Sequence, residues 1–283
     1  MGGPGDDRTP PLPPRLAGRV EAIEREFTGT VALWCHDLTT RRTFGLRATQ
    51  RFDPASTIKL FILRELYRQR DAGQLRLDET LTVARHDVVP GSGVLKDLTP
   101  GRVSLTLHDL ATLMVTVSDN VATNLLIGRL GASAVNRGAR LAGFEDTFLR
   151  GKLFKGRTRS SHTTPRDLGA LMTQIARRQA VSRPASNEML DILRREQSDF
   201  IVGRFLPYTR EELEQDRQPW KIASKSGSIK GHRHDVALVE GHGHRYVLAV
   251  MSSGSEDLRF WPDNEGTLAL AHIAFAVHQE VTA

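Results

Sequence analysis

Three short segments of this chain combine serine with lysine or asparagine at spacings that suit acyl transfer. They are Ser56-Thr57-Ile58-Lys59, Ser118-Asp119-Asn120 and Lys225-Ser226-Gly227. Each segment is common by chance, but the three in this order, each in its expected structural context, form a specific set. A serine hydroxyl is a poor nucleophile at neutral pH and needs a base within hydrogen-bond reach. The set therefore predicts a serine nucleophile with a lysine beside it, together with a second serine–lysine pair.

The first segment opens a helix that the apolar pattern predicts over residues 55–72. Because residues three apart share a helix face, we expect the Lys59 amine to reach the Ser56 hydroxyl. Ser56 falls in the first turn, where free backbone N–H groups favour the oxyanion formed on attack. Burial and a second cation, for which Lys225 is the candidate, would lower the pKa of Lys59. Taken alone, the pair would more often be a helix cap and a surface charge.

The second segment lies between two apolar stretches, residues 107–117 and 121–130, which predict two helices. A polar turn between helices is the ordinary use of Ser, Asp and Asn. In an active site, Ser118 would pass a proton to a departing nitrogen, and Asn120 would hydrogen-bond a substrate amide.

The third segment, Lys225-Ser226-Gly227, is typical either of a strand end with a turn or of an exposed edge strand beside a reacting group. Gly227 would let a substrate backbone approach closely and pair with its neighbours. The backbone N–H groups of Ser228 and Ser56 would form an oxyanion hole. Arg233 or Ser226 would hold a substrate carboxylate.

The periodicity of apolar residues predicts the elements that must position these segments. Helices are predicted at 15–27, 55–72, 106–117, 120–130, 132–142, 165–180, 184–197 and 264–279, and strands at 30–37, 43–47, 221–228, 235–240 and 245–252. Strands at both ends of the chain must pair to satisfy their edges, so the prediction is an α/β (α+β) fold. It has an antiparallel sheet of about five strands covered by the terminal helices, plus an all-helical lobe. The predicted division is a disordered lead-in at 1–14, a sheet domain at 15–54 and 212–283, and a helical lobe at 55–211.

The bulk composition narrows the functional classes. The chain has 283 residues, 39% of them apolar, a net charge of +6 and a sequence pI of about 9.8. The basic charge is scattered and accompanies no nucleic-acid motif, so no nucleic-acid partner is expected. No stretch reaches the roughly 20 apolar residues of a membrane span. No basic start followed by an apolar run is visible, so we expect a cytoplasmic protein unless the chain is a trimmed mature form.

No cofactor or metal site is predicted. Cys35 is the only cysteine and lies in an apolar run, which indicates a small core residue in a strand. Two histidine pairs, in residues 232–234 and 242–244, lie at opposite ends of a predicted strand. Eight strand residues span roughly 26 Å, so the pairs cannot share one ion. We interpret them as solvated loop histidines.

The three segments resemble the motifs of the penicilloyl-serine transferase superfamily, and most of all those of class A β-lactamases. The resemblance covers about residues 20–280 and includes two further stretches, Ser118 to Leu126 and His162 to Leu168. Ser226 stands where class A enzymes usually have Thr, which keeps the hydroxyl. The resemblance implies the fold, an acyl-enzyme at Ser56 and a small-molecule β-lactam or related amide or ester as substrate.

One departure from the family concerns the release of the acyl group. Class A β-lactamases carry a loop Glu that activates the deacylating water, whereas residues 147–161 of this chain, a shorter loop, contain no carboxylate. Glu145 and Asp146 come just before it, and Lys152 is a weak substitute. Lys59 would have to serve in both half-reactions. The hypothesis is therefore β-lactam hydrolysis with weak deacylation, with a D-alanyl-D-alanine peptidase, an esterase or a non-turnover β-lactam-binding module as alternatives.

Overall fold

The computed structural model describes residues 9–154, 160–197, 201–208, 210–215, 217 and 219–283. The helices are α1 Pro14–Glu26, α2 Lys59–Asp71, α3 Leu107–Thr116, α4 Asn120–Leu130, α5 Ala132–Leu141, α6 Pro165–Ala176, α7 Arg183–Leu193, α8 Arg210–Glu214 and α9 Glu265–Val281. The strands are β1 Thr30–Asp37, β2 Thr43–Leu46, β3 Thr80–Thr82, β4 Ser104–Thr106, β5 Lys221–Ile229, β6 His232–Gly241 and β7 His244–Ser253.

Five strands form one antiparallel sheet in the order β2-β1-β7-β6-β5. The N-terminal hairpin and the C-terminal meander meet where β1 pairs with β7, which confirms the predicted sheet. β5 is the last strand in this order, so one of its edges has no neighbouring strand among the residues that the structure describes. That open edge carries the Lys225-Ser226-Gly227 segment.

Successive side chains of a strand point to opposite faces of the sheet, so the buried apolar residues form one core layer on each face. On β1, Val31, Leu33 and Cys35 pack with α1 and α9, whereas Ala32 and Trp34 face α6 and the helical part of the chain. Cys35 is buried in this core, as the sequence predicts. The sheet is therefore a middle layer that connects the terminal helices to the helices bearing the first two motifs.

Local signals explain where the helices begin. Thr106 and Asp109 form the predicted reciprocal capping box at the start of α3. Asp119 caps α4 by accepting from Ala122 N, and Asn264 caps α9 by accepting from Thr267 N. Most predicted ends agree with the structure within a few residues, because caps and prolines mark them.

The interpretation of the first histidine pair as solvated loop residues is wrong. β6 begins at His232, three residues earlier than predicted, and His234 is fully buried within it. Its Nε2 lies 2.8 Å from the carbonyl oxygen of Asp53. Burial lowers the pKa of His234 to about 3, so this ring is neutral and structural at neutral pH.

The short ribbon of β3 and β4 was not predicted, because three-residue strands leave no usable periodicity. Residues 1–8 of the predicted lead-in lie outside the described residues, and the division into a sheet domain and a helical lobe stays a prediction. No helix in the described ranges is long and apolar enough to cross a membrane. Over the same ranges, no cluster of His, Cys, Asp and Glu suits a metal ion.

Candidate active site

Ser56 lies in a short 3-10 helix, Ala55–Ile58, that continues directly into α2. Ala55 has φ +47°, a left-handed backbone conformation that residues other than glycine rarely adopt. The turn is held by Asp53 Oδ1, which accepts from Ala55 N at 3.1 Å, and by Thr57 Oγ1, which donates to Pro54 O at 2.6 Å. The strained backbone immediately before Ser56 is thus imposed by the surrounding structure.

Lys59 is fully buried and lies among four oxygen atoms. Its Nζ is 3.0 Å from Ser56 Oγ, 2.9 Å from Ser118 Oγ, 2.7 Å from Ser118 O and 3.0 Å from Asn120 Oδ1. Burial and then the positive charge of Lys225 hold the pKa of Lys59 well below its ordinary value. The direction of this shift is the one expected from burial and a second cation.

The turn between α3 and α4 brings the second motif to the same point. Ser118 has φ +56°, and Asp119 Oδ2 accepts from the backbone N–H groups of Val94 and Leu95, at 2.7 and 2.8 Å. Asn120 Nδ2 donates to the carbonyl oxygen of Pro90 at 3.1 Å while its Oδ1 faces Lys59. Asn120 therefore holds the lysine, in addition to its predicted contact with a substrate amide.

β5 passes close to the turn that carries Ser56. A Cβ atom added at Gly227 would lie 3.0 Å from the backbone nitrogens of both Ser56 and Thr57. This close approach favours glycine at this position. Ser228 follows Gly227 on the strand and lines the same cleft as Ser56.

Lys225 is paired with a carboxylate that sequence reasoning did not identify. Its Nζ lies 2.9 Å from Glu196 Oε1, and the two side chains are 0% and 1% exposed. Ser226 Oγ donates to the same oxygen at 2.7 Å, and Ser224 Oγ donates to Glu196 Oε2 at 3.2 Å. Glu196 follows α7 as one charge among several, and no periodic signal marks it as a buried partner.

Arg233, predicted to bind a substrate carboxylate, has its terminal nitrogens engaged within the protein. Nη1 donates to the carbonyl oxygens of Ile229 and His232, at 2.8 and 2.7 Å, and Nη2 donates to that of Arg259. The guanidinium carbon lies 5.0 Å from the centre of the Phe260 ring, and the residue is 3% exposed.

A cleft of about 780 Å³ opens over Ser56. It is lined by the Ser56 turn, Asn120, the end of β5, Phe260 and the loop residues 150–154 and 160–161. Two asparagine side chains fix this loop: Asn124 bonds both backbone groups of Leu153, and Asn136 does the same for Leu149. Among the described residues that line the cleft, Asp53 is the only carboxylate.

Comparison with known proteins shows the family of this chain. The model described as "Beta-lactamase enzyme family" matches residues 15–281. The chain belongs to this family. It is accordingly a hydrolase, and its relatives include a β-lactamase of Rhodobacter capsulatus, 28% identical over 271 residues that cover 94% of this chain and 89% of that protein. A β-lactamase of Bacillus licheniformis is 26% identical over 82% of this chain and 74% of that protein.

Solved structures agree with the family assignment. A β-lactamase from Sphaerobacter thermophilus has a TM-score of 0.84 and 31% identity, covering 95% of this chain and 97% of its own. PBP-A has a TM-score of 0.83 and 29% identity over 96% of this chain and 97% of its own, and a mutant of PBP-A was solved as an acyl-enzyme complex with penicillin G. A class A β-lactamase from Mycobacterium abscessus, 22% identical with a TM-score of 0.83, shares the fold. The class A-like α/β fold is therefore confirmed.

Proposed function

We propose that this hydrolase forms a covalent acyl-enzyme at Ser56, with β-lactams as substrates and slow release of the acyl group. The observation that carries the proposal is the 3.0 Å separation between Lys59 Nζ and Ser56 Oγ inside a buried site. This separation is within the range for proton transfer between a nucleophile and its base.

The oxygen atoms around Lys59 favour a neutral amine that points its lone pair at a hydroxyl. Ser118 O and Asn120 Oδ1 can only accept hydrogen bonds, so they take the two N–H groups of a neutral amine. The remaining lone pair can accept from the Ser56 hydroxyl. Lys59 would take that proton as Ser56 Oγ forms its bond to the carbonyl carbon of the substrate.

The tetrahedral intermediate would be stabilised at the junction of β5 and the Ser56 turn. The backbone N–H groups of Ser56 and Ser228 are our candidates for the oxyanion hole. The Ser118 hydroxyl would donate its proton to the leaving nitrogen as the C–N bond breaks, and that proton would be replaced through Lys59, whose Nζ lies 2.9 Å away.

Release of the acyl group requires a base for water, which typically contributes about 10²–10⁴-fold. Residues 147–161 contain no carboxylate. Asp53 lines the cleft, but its Oδ1 accepts from Ala55 N and so serves the turn. We therefore assign this step to Lys59 acting a second time and expect a long-lived acyl-enzyme.

The lack of a carboxylate in residues 147–161 also supports three alternative functions. A site that acylates readily and deacylates slowly suits a β-lactam-binding module, and a site without the loop Glu suits a D-alanyl-D-alanine peptidase or an esterase. The likeness to PBP-A, a mutant of which was solved as an acyl-enzyme complex with penicillin G, supports the β-lactam-binding module as an alternative to hydrolysis.

One experiment separates these functions. The protein is mixed with a fluorescent penicillin and, separately, with a chromogenic cephalosporin, while intact mass and colour are followed over time. Steady colour supports β-lactam hydrolysis, and a persistent adduct on Ser56 without colour turnover supports the binding module. Hydrolysis of small esters or of D-alanyl-D-alanine peptides without either signal supports the remaining alternatives. Ser56→Ala must abolish every signal, and activity that survives it would refute the proposed nucleophile.

A further inference from the structure

The two buried lysines of the site have partners of different charge. Lys59 and Lys225 are both 0% exposed. The four oxygen atoms around Lys59 Nζ belong to two hydroxyls, a backbone carbonyl and an amide, all uncharged. Lys225 Nζ instead lies 2.9 Å from Oε1 of Glu196, whose side chain is 1% exposed. Because burial penalises an ammonium group that has no counter-ion, we expect Lys225 to keep its proton and Lys59 to give its proton up.

Glu196 is fixed between the helices and the sheet. It follows α7, and the next residue, Gln197, donates its backbone N–H to the carbonyl oxygen of Thr116, the last residue of α3, at 3.0 Å. On the side of β5, the hydroxyls of Ser224 and Ser226 donate to the Glu196 carboxylate at 3.2 and 2.7 Å. The negative charge is therefore held at a defined place beside β5.

We propose that Glu196 is a positioning residue for acylation: it holds Lys225 in its charged form, and this cation keeps the Lys59 amine neutral and able to accept a proton. This inference rests on the proposed acylation of Ser56. The role of Glu196 is indirect, since it acts on the base through a second side chain.

The charges around Lys59 give the direct and the indirect effect of Glu196 opposite signs. After burial, the charge of Lys225 is the largest influence and lowers the pKa of Lys59, whereas the charges of Asp119 and Glu196 raise this pKa less. By its own charge, Glu196 therefore opposes a neutral Lys59. Through Lys225 it favours one, because a buried Lys225 without its counter-ion would release its proton and no longer repel a charge on Lys59.

Glu196→Gln distinguishes the two effects, because Gln keeps the length of the side chain and one acceptor oxygen but has no charge. Adduct formation on Ser56 by a fluorescent penicillin is followed by intact mass across a range of pH. We expect the acid side of the rate profile to move to higher pH by about one unit or more, which slows acylation at a fixed acidic pH at least about tenfold. A move to lower pH would mean that Glu196 acts through its own charge. An unchanged position, at whatever maximal rate, would mean that Glu196 is only structural. Either result overturns the proposal.

Glu65→Gln is the matched control. Glu65 is also a carboxylate with a 1% exposed side chain, and it pairs with Arg68 at 2.7 Å. Its other side-chain partner, Gln69, likewise lies on α2. We expect the control to lose stability, as the loss of a buried ion pair does, and to keep the acid side of its profile at the wild-type pH. An equal shift in the control would contradict the assignment to Glu196.

The double variant Glu196→Gln/Lys225→Met replaces the single variant if Glu196→Gln does not fold, because it leaves neither charge of the pair buried without a partner. If Glu196 acts through Lys225, the acid side of the double variant's profile should coincide with that of Lys225→Met and lie at higher pH than in the wild type. Any lower position, including that of the wild type, would overturn the proposal.

Failure of the proposed function gives a different result. If the wild type forms no adduct on Ser56 at any pH, the nucleophile is misassigned and both proposals fall. If the wild type is acylated and only the Glu196 variants disagree, Ser56 and Lys59 keep their roles and only the role of Glu196 is refuted.

Discussion

The Nζ of Lys59 lies 2.7 Å from the carbonyl oxygen of Ser118 and 2.9 Å from the hydroxyl oxygen of the same residue. One residue thus presents both its backbone and its side chain to the buried amine, and it does so with φ +56°. The turn between α3 and α4 is therefore part of the proposed reaction centre in its backbone as well as in its side chain.

Replacing Lys59 tests its role as base. Lys59→Arg keeps a positive charge and Lys59→Met keeps much of the length, but neither can accept a proton from Ser56 at neutral pH. We expect both to lower the acylation rate by about 10²–10⁴-fold, as loss of a general base does. Stopped-flow acylation measures the rate, and thermal unfolding verifies that each variant is folded. Retained acylation in Lys59→Arg would show that Lys59 is not the base.

The pH dependence of acylation reports the protonation of Lys59. Only the neutral amine accepts the proton, so kcat/KM should fall on the acid side as pH drops through the lowered pKa of Lys59. Lys225→Met removes the repelling charge and should move this acid limb to higher pH. Lys221→Met, an exposed lysine at the start of the same strand, should leave it in place because solvent screens its charge. If the acid side of the kcat/KM profile does not move in Lys225→Met, the charge of Lys225 does not lower the pKa of Lys59.

Two substitutions of Ser118 separate the effect of its strained backbone from the effect of its hydroxyl group. Ser118→Ala and Ser118→Gly both remove the hydroxyl and should slow acylation to a similar extent. Only glycine adopts φ +56° without cost, so Ser118→Gly should be more stable than Ser118→Ala by about 1 kcal/mol. Chemical denaturation measures the difference. Equal stabilities would mean that the left-handed conformation stores no strain.

The raised pKa of Asp167 predicts that the free energy of unfolding depends on pH. Burial raises its pKa to about 6 even though Thr147 donates to it at 2.9 Å. The folded protein therefore binds this proton more tightly than the unfolded chain, whose Asp titrates near 4. The resulting stabilisation is fully present below about pH 4 and is lost as pH rises through about 6, a decline of about 3 kcal/mol. Urea unfolding across this range should show the decline in the wild type and lose it in Asp167→Asn.

Gly227 tests the contact between β5 and the Ser56 turn. Gly227→Ala places a Cβ 3.0 Å from Ser56 N, so the strand and the turn must separate by a few tenths of an ångström, and we expect acylation to fall at least tenfold. Gly18→Ala is the control, because nothing lies within 4 Å of a Cβ in the middle of α1. Alanine there should stabilise the helix by up to about 1 kcal/mol and leave the rate unchanged. Unaltered acylation in Gly227→Ala would show that this contact does not position the site.

The elements were largely predictable because their signals are local. The capping box at Thr106, Pro165 at the start of α6 and the alternating apolar residues of β1 each depend on neighbours a few positions away. The spacing of Ser56 and Lys59 predicted their contact for the same reason, since one helical turn brings them together. The burial of the His234 ring was not predicted, because the predicted strand began at Asp235, whereas pairing with Gly227 and Met251 keeps His234 within β6.

The sequence by itself determined which residues can do chemistry, the five-stranded sheet and the pairing of a serine with a lysine one turn away. Only the tertiary structure decided that Glu196 lies against Lys225, that Arg233 is occupied by backbone carbonyls, and that Asn120 and Ser118 surround Lys59. Helix and strand periodicity act over a few residues, whereas these contacts join segments tens of residues apart. Their partners are chosen by how buried charges and hydrogen bonds are satisfied once the sheet and helices have packed.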